Sequence, residues 1–383
     1  MAWTIYYRLH QGEAEVLRCV GTDPALTLPA AIDGCPVTRL GRGCFGGTGP
    51  EEAEPGEGMR FLQAQPPKVT ARYNDTLKRV RLPETVRALG ERCFAACRAL
   101  PRLELPQGLT DLGERAFEGC SRLTHLELPD GIRALPAYAL AECRGLERVR
   151  LPAAVETLGR CCFYNCTHLK ALDLPDSVTA IGDRMLMNCF ALERLSFRIG
   201  LNAGALLDEI EGVVRVTARD DQGAVTMVLP EYSYEYDELI PARQFRAVTY
   251  GSGGLYRGCF SDRDIDFLLY DTYFYECKRD DPPELAAELA LDRLRSPRDL
   301  RPGPEAEYWA FLLEHPAIVA QVLLRADDLA GLDFLLSADK LGRTQLDAML
   351  DAAEQAGNVR FVSRLLDAAG GGTASGADKS FDL

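Results

Sequence analysis

Between Leu77 and Ala191 apolar and polar positions recur in a fixed order. LKRVRLPETVRALGERCFAACRA (77–99) is followed by LPRLELPQGLTDLGERAFEGCSR (100–122), LTHLELPDGIRALPAYALAECRG (123–145), LERVRLPAAVETLGRCCFYNCTH (146–168) and LKALDLPDSVTAIGDRMLMNCFA (169–191). The period is 23 residues without insertion, and a sixth copy opens at Leu192 and breaks where Arg198 takes the proline position. Within a copy, Leu77, Val80 and Leu82 alternate as a short strand with its apolar side turned one way. Pro83 has no N–H to give a ladder and ends the strand. Val86 and Leu89 form a second apolar pair on a return path, Gly90 suits a turn, and Phe94 and Cys97 fit one helical turn. Burying five or six side chains contributes about 1.5–3 kcal/mol each. Ordering the copy costs roughly 1.5 kcal/mol per residue, so no copy stands alone. The copies must stack, share one core and form a parallel strand ladder, about 4.8 Å per step.

The pattern LxxLxLPxxLxxLGxxAFxxC resembles the BspA-like, or Treponema-type, leucine-rich repeat family over residues of about 26–197. LTLPAAIDGCPVTRLGRGCF (26–45) looks like its first repeat, with Leu28-Pro29, Leu40-Gly41 and Phe45 in place. The resemblance implies a curved solenoid used for protein binding, and many members are described as bacterial surface or adhesion proteins. Residues 3–20 are expected to form a hairpin about Gln11-Gly12 that caps the stack. The Gly-, Pro- and Glu-rich segment 46–76 is expected to be a long flexible loop.

Beyond residue 200 the repeat is lost. VVRVTARDDQGAVTMVLP (213–230) alternates around Asp221-Gln222-Gly223 and predicts a hairpin. Residues 231–276 carry twelve Tyr or Phe residues, which suit a core or a ligand groove. From Pro283 apolar residues recur at three- and four-residue spacing, predicting helices, with Pro304 and Asp328 suited to helix starts and Gly370–Gly372 to the last helix end. GRTQLDAMLDAAEQAGNVRFVSRLLDAAG resembles a degenerate ankyrin repeat, which implies stacked helix pairs. The expected class is α+β. A hairpin cap, first repeat and loop (1–76) lead to a solenoid (77–199), a β/aromatic capping segment (200–282), a helical repeat-like domain (283–369) and a disordered tail (370–383).

Charge sharpens this division. The chain has net charge −14, yet residues 201–383 hold 33 acidic and 18 basic side chains, against 24 and 25 in residues 1–200. An acidic chain argues against nucleic acid as the main ligand. No run of 18 apolar residues predicts a membrane span. The opening MAWTIYYRLHQ lacks the basic and long apolar regions of a secretory signal, so a cytoplasmic location is expected. A surface-associated adhesin is the alternative. Thirteen cysteines, an odd number, then read as reduced thiols. Cys97, Cys120, Cys143, Cys166 and Cys189 fall one per repeat and read as a buried packing ladder. Thiols in a line cannot close a tetrahedron around zinc. Cys161, Cys162, Cys166 and His168 are the best metal candidate, and no metal or cofactor is expected. Gly251-Ser252-Gly253-Gly254 fails as a nucleotide loop because Tyr256 stands where GxGxxG needs glycine. No catalytic motif is found, which points away from an enzyme. A ligand-binding or enzymatic unit in 231–276 is the other alternative.

The strand residues turned away from the core carry the candidate chemistry. They are Arg79/Arg81, Arg102/Glu104, His125/Glu127, Arg148/Arg150, Ala171/Asp173 and Arg194/Ser196. Six arginines face three acids. One reading pairs Glu104, Glu127 and Asp173 with their neighbours and leaves the face merely solvated; the sharper one makes Arg79, Arg81, Arg102, His125, Arg148, Arg150 and Arg194 the candidate contact residues for a protein partner, through an acidic segment on a concave face that comes from a separate protein, from this chain's own acidic half or from its 51–57 loop.

Overall fold

The computed structural model describes residues 3–46, 60–62, 75–236, 247–261 and 263–371. Two compact units divide the chain: residues 1–223 with 260–265, and residues 224–259 with 266–383.

The first unit is a β-solenoid of about 8 turns. Its first ladder starts with Ala25–Thr27, parallel to Arg79–Arg81. A bridge joins Arg102 to His125. His125–Glu127, Arg148–Arg150, Ala171–Asp173 and Arg194–Arg198 then follow in parallel register. Leu26, Val80, Leu103, Leu126, Leu172 and Leu195 point inward and are buried. The ladder outruns the sequence repeat. Val214–Asp220 pairs parallel with Arg194–Arg198, with Leu195 opposite Val216 and Phe197 opposite Ala218. Alternation, not the proline motif, is what a further rung requires.

The expected return path is a second ladder. Cys35–Leu40, Ala88–Leu89 and Asp111–Leu112 are joined in parallel, as are Ala134–Leu135, Thr157–Leu158 and Ala180–Ile181. Gly90 acts here differently from the expectation. It has no positive φ. A Cβ on Gly90 would lie 2.6 Å from the Gly41 carbonyl carbon, and one on Gly113 2.3 Å from the Glu91 nitrogen. Glycine marks the place where successive coils touch backbone to backbone. Pro136 occupies the same place in the third copy.

The expected helical turn at Phe94–Cys97 is also replaced. Arg92 and Ala96 are both left-handed, and the pair recurs as Arg115/Gly119, Tyr138/Glu142, Cys161/Asn165 and Arg184/Asn188. Left-handed residues every four positions turn alternate N–H groups toward the next coil. Cys161 N donates to Asp183 O at 2.9 Å, Phe163 N to Met185 O at 3.0 Å and Asn165 N to Met187 O at 3.0 Å. An α-helical turn would bond within itself and leave neighbouring coils unjoined. Leu186, in the last copy, finds a side chain instead. Its N–H donates to Glu209 Oε2 at 2.7 Å, and the same carboxylate takes the Arg184 N–H. Inside, Phe45, Phe94 and Phe117 stack at 4.6 and 5.8 Å.

The first coil confirms the repeat at 26–45 and stacks directly on the copy that begins at Leu77. Thr4–His10 and Glu13–Val20 form the expected antiparallel hairpin. Within the expected loop, Arg60–Leu62 is a strand, antiparallel to the first strand of that hairpin. Arg60 and the Tyr7 hydroxyl both donate to Asp33. Residues 47–59 and 63–74 lie outside the described residues.

In the second unit, Ser233–Tyr236 pairs antiparallel with Ala247–Tyr250. Among the described residues six helices follow residue 282: Pro283–Arg295, Pro302–Glu314, Pro316–Ala326, Leu329–Ser337, Arg343–Gln355 and Val359–Gly371. The helical stretch at 304–326 breaks at His315, because a residue before proline is pushed out of the α region. The stretch at 343–371 breaks at Gly357, with φ of 66°. Asp328 caps its helix by accepting from Gly331 N at 2.8 Å. Pro316–Ala326 packs on Arg343–Gln355, which packs on Val359–Gly371. One buried ion pair braces this unit. Arg293 meets Asp271 through two bonds of 2.7 and 2.8 Å, and the Tyr308 hydroxyl donates to Asp271 at 2.8 Å.

Candidate partner-binding face

The strand pairing sets the face. Arg102 lies beside His125, His125 beside Arg148, Arg148 beside Ala171, Ala171 beside Arg194 and Arg194 beside Arg215. Arg79 extends the row at the other end, opposite Ala25. This inner row contains no acidic residue. Arg215 was not foreseen, since it lies past the break in the repeat; its signal was the alternation of VVRVTAR.

A second row, two residues along each strand, is mixed: Arg81, Glu104, Glu127, Arg150, Asp173 and Ser196. Its acids do not neutralise the inner row evenly. Glu104 lies 3.6 Å from Arg102, with both side chains about four-fifths exposed. Asp173 is taken by Arg219 at 3.0 Å, which also holds Asp176 at 3.1 Å. Arg150 pairs with Asp130 at 3.3 Å, one coil back. Arg79, Arg81, Arg148 and Arg194 are exposed and make no ion pair with any described residue. Like charges on adjacent strands are unfavourable, by roughly the 0.2–1 kcal/mol that cross-strand pairs are worth. The fold thus maintains a cationic row that the described side chains leave partly uncompensated. A hollow of about 520 Å³ lies along the row, lined by Arg102, Glu104, Gln107, Thr124, His125 and Glu127.

The cysteines have another role. Cys120, Cys143, Cys166 and Cys189 donate through sulfur to the carbonyls of Phe94, Phe117, Leu140 and Phe163, at 3.2, 3.1, 3.2 and 3.3 Å. Each thiol therefore gives a second donor to a carbonyl of the preceding coil, beside the backbone N–H which that carbonyl already accepts; the reading as packing alone did not include this. Burial pushes the Cys120 and Cys189 thiols up to about 12, far from the thiolate that nucleophilic chemistry uses. Cys161, Cys162, Cys166 and His168 are not brought together. The Cys166 thiol is committed to Leu140, while His168 is exposed and its Nδ1 lies 2.7 Å from the Arg144 carbonyl. Among the described residues no group of three His, Cys, Asp or Glu side chains is placed to hold a metal ion.

The aromatic stretch is mainly core. Tyr232, Tyr256, Phe260, Phe267, Tyr270 and Phe274 are buried, and Tyr256 meets Tyr270 edge-on at 4.7 Å. Tyr250 and Tyr275 are exposed. The side chains of Tyr234, Tyr236 and Phe245 lie outside the described residues.

Comparison with known proteins agrees with the coil geometry. Residues 70–197 match the BspA type leucine rich repeat region, in 6 copies. Among solved structures, a T. pallidum leucine-rich repeat protein is similar at 24% identity. That match covers 49% of this chain and 86% of that one, with a TM-score of 0.39. A leucine-rich cell surface protein from Faecalibacterium prausnitzii is similar at 20% identity, covering 58% of this chain and 59% of that one, with a TM-score of 0.38. No curated protein matches the chain. Among the described residues no helix is long and apolar enough to cross a membrane.

Proposed function

We propose that this chain is a non-enzymatic interaction protein whose BspA-type region holds a protein partner on the first-ladder face. Repeats of this kind belong generally to protein-interaction or surface proteins. The observation that carries the reading is the row Arg79, Arg148 and Arg194, with Arg81 beside it, which no described side chain pairs. Guanidinium groups at fixed spacing on a rigid ladder recognise carboxylates by paired N–H donors, and little ordering of the protein is needed on binding. The partner therefore presents an acidic surface. A reducing compartment suits the same reading, since the ladder thiols act as hydrogen donors to carbonyls, and oxidation would remove those donors.

The test is affinity purification from the native host with the wild-type chain and an Arg148→Glu/Arg150→Glu variant. Partners retained by the wild type and lost by an equally stable variant support the face. An unchanged partner set overturns it. Cell fractionation of the same host separates an internal protein from a surface one.

A further inference from the structure

We propose that the partner segment is an extended acidic stretch about seven residues long, laid across the coils along the inner row. This rests on the first-ladder face being the binding site.

Three observations carry it. The first is length. Arg79 and Arg194 are five coils apart, and at about 4.8 Å per coil this spans about 24 Å. An extended chain advances about 3.3 Å per residue, so about seven residues cover the row. An α-helix, rising 1.5 Å per residue, would need about sixteen. The second is width. Cations occupy the inner row without an acid, whereas Glu104 and Glu127 stand in the second row, two residues further along the strands. A helix about 10–12 Å across covers both rows and brings acids against Glu104 and Glu127. A single extended chain follows the inner row alone. The third is continuity. The residues of that row between Arg79 and Arg194 that are not arginine are His125 and the small Ala171. It leaves the backbone open to close approach rather than adding an obstacle. Asp173 beside it is held by Arg219 and Ser196.

The experiment measures binding of the full chain to fluorescent peptides by anisotropy. Asp/Pro-containing acidic peptides of four, seven and ten residues are compared with an Ala/Glu peptide of equal charge that forms a helix. A single-stranded DNA oligonucleotide of equal charge is the third arm. The expected result is a gain in affinity of about tenfold or more from four to seven residues, as further charge-assisted contacts form, and little gain from seven to ten. The extended peptide should bind more tightly than the helical one. Arg148→Glu should weaken the seven-residue peptide by about tenfold or more, with an unchanged melting temperature. Affinity that ignores length, or a preference for the helical peptide, overturns the extended-segment proposal while leaving the face intact. No binding of any acidic peptide overturns both. Tighter binding of the oligonucleotide shows that the row serves a nucleic acid, which also overturns both.

Discussion

Replacing Glu209 by alanine removes the acceptor that closes the turn side of the last in-phase coil. In earlier copies the N–H groups of this turn reach the next coil, as Phe163 N reaches Met185 O. The Leu186 and Arg184 N–H groups reach the Glu209 carboxylate instead. An orphaned buried N–H costs about 1–3 kcal/mol. Glu209 is about half buried, so water partly replaces it, and about 1–3 kcal/mol for the pair is the expected loss. For a unit of this size each kcal/mol lowers Tm by about 2–4 °C. In a solenoid the loss should begin as fraying of the last coil. Hydrogen exchange should therefore show faster Leu186 and Arg184 amides in Glu209→Ala and little change near Cys97. Unchanged exchange at Leu186 would refute the capping role. The pH dependence adds a sign. Burial raises the Glu209 carboxyl above its ordinary value. Protonation is then easier in the folded chain than in the unfolded one. This favourable contribution is present below the unfolded value of about 4.3 and is lost as pH rises through the folded value. Glu209→Gln keeps an acceptor oxygen and cannot ionise. Its stability relative to wild type should improve between pH 4 and pH 7, as read by urea titration at each pH.

Three further outcomes follow from the same geometry. Gly159→Ala places a Cβ 2.5 Å from Ala137 N, and the overpacking should cost about 1–3 kcal/mol in urea unfolding. Cys143→Ala removes the bond to Phe117 O and part of the core, and should cost about 1–2 kcal/mol while acidic-peptide binding persists; loss of binding with the fold intact would contradict the separate roles of core and face. Asp271→Ala leaves the Arg293 guanidinium buried and unpaired, and should cost about 3–5 kcal/mol, visible as loss of helical circular dichroism at lower temperature.

The period of 23 residues was enough to place the coils, because one Leu, one Phe or Leu and one Cys per copy return to the same depth in the core. It also placed Arg79 to Arg194 on one face, since alternation along a strand leaves no other side for them. The turn was less legible. Gly90 looks the same in sequence whether it bends the chain or admits a neighbouring backbone, and only the distance to Gly41 separates the two. Arg92, Tyr138 and Cys161 carry no composition signal for left-handed φ, because neighbouring coils impose it. Arg219 and Glu209 act on residues that lie 46 and 23 positions away, after the motif has ended. Such pairing depends on where the chain returns, which local pattern does not encode.

The described strand pairs imply an order of assembly. Neighbouring rungs such as His125 and Arg148 close a loop of 23 residues. The first coil is the exception. Leu40 pairs with Leu89 and Ala25 with Arg79, separations of 49 and 54 residues. Each doubling of a loop adds about 0.6 kcal/mol of closure entropy. Zipping should therefore spread along the in-phase copies first and reach the N-terminal coil last. By the same closure entropy, that joint should regain the most chain freedom on opening, so the hairpin end of the solenoid is where fraying in mild denaturant is expected to start.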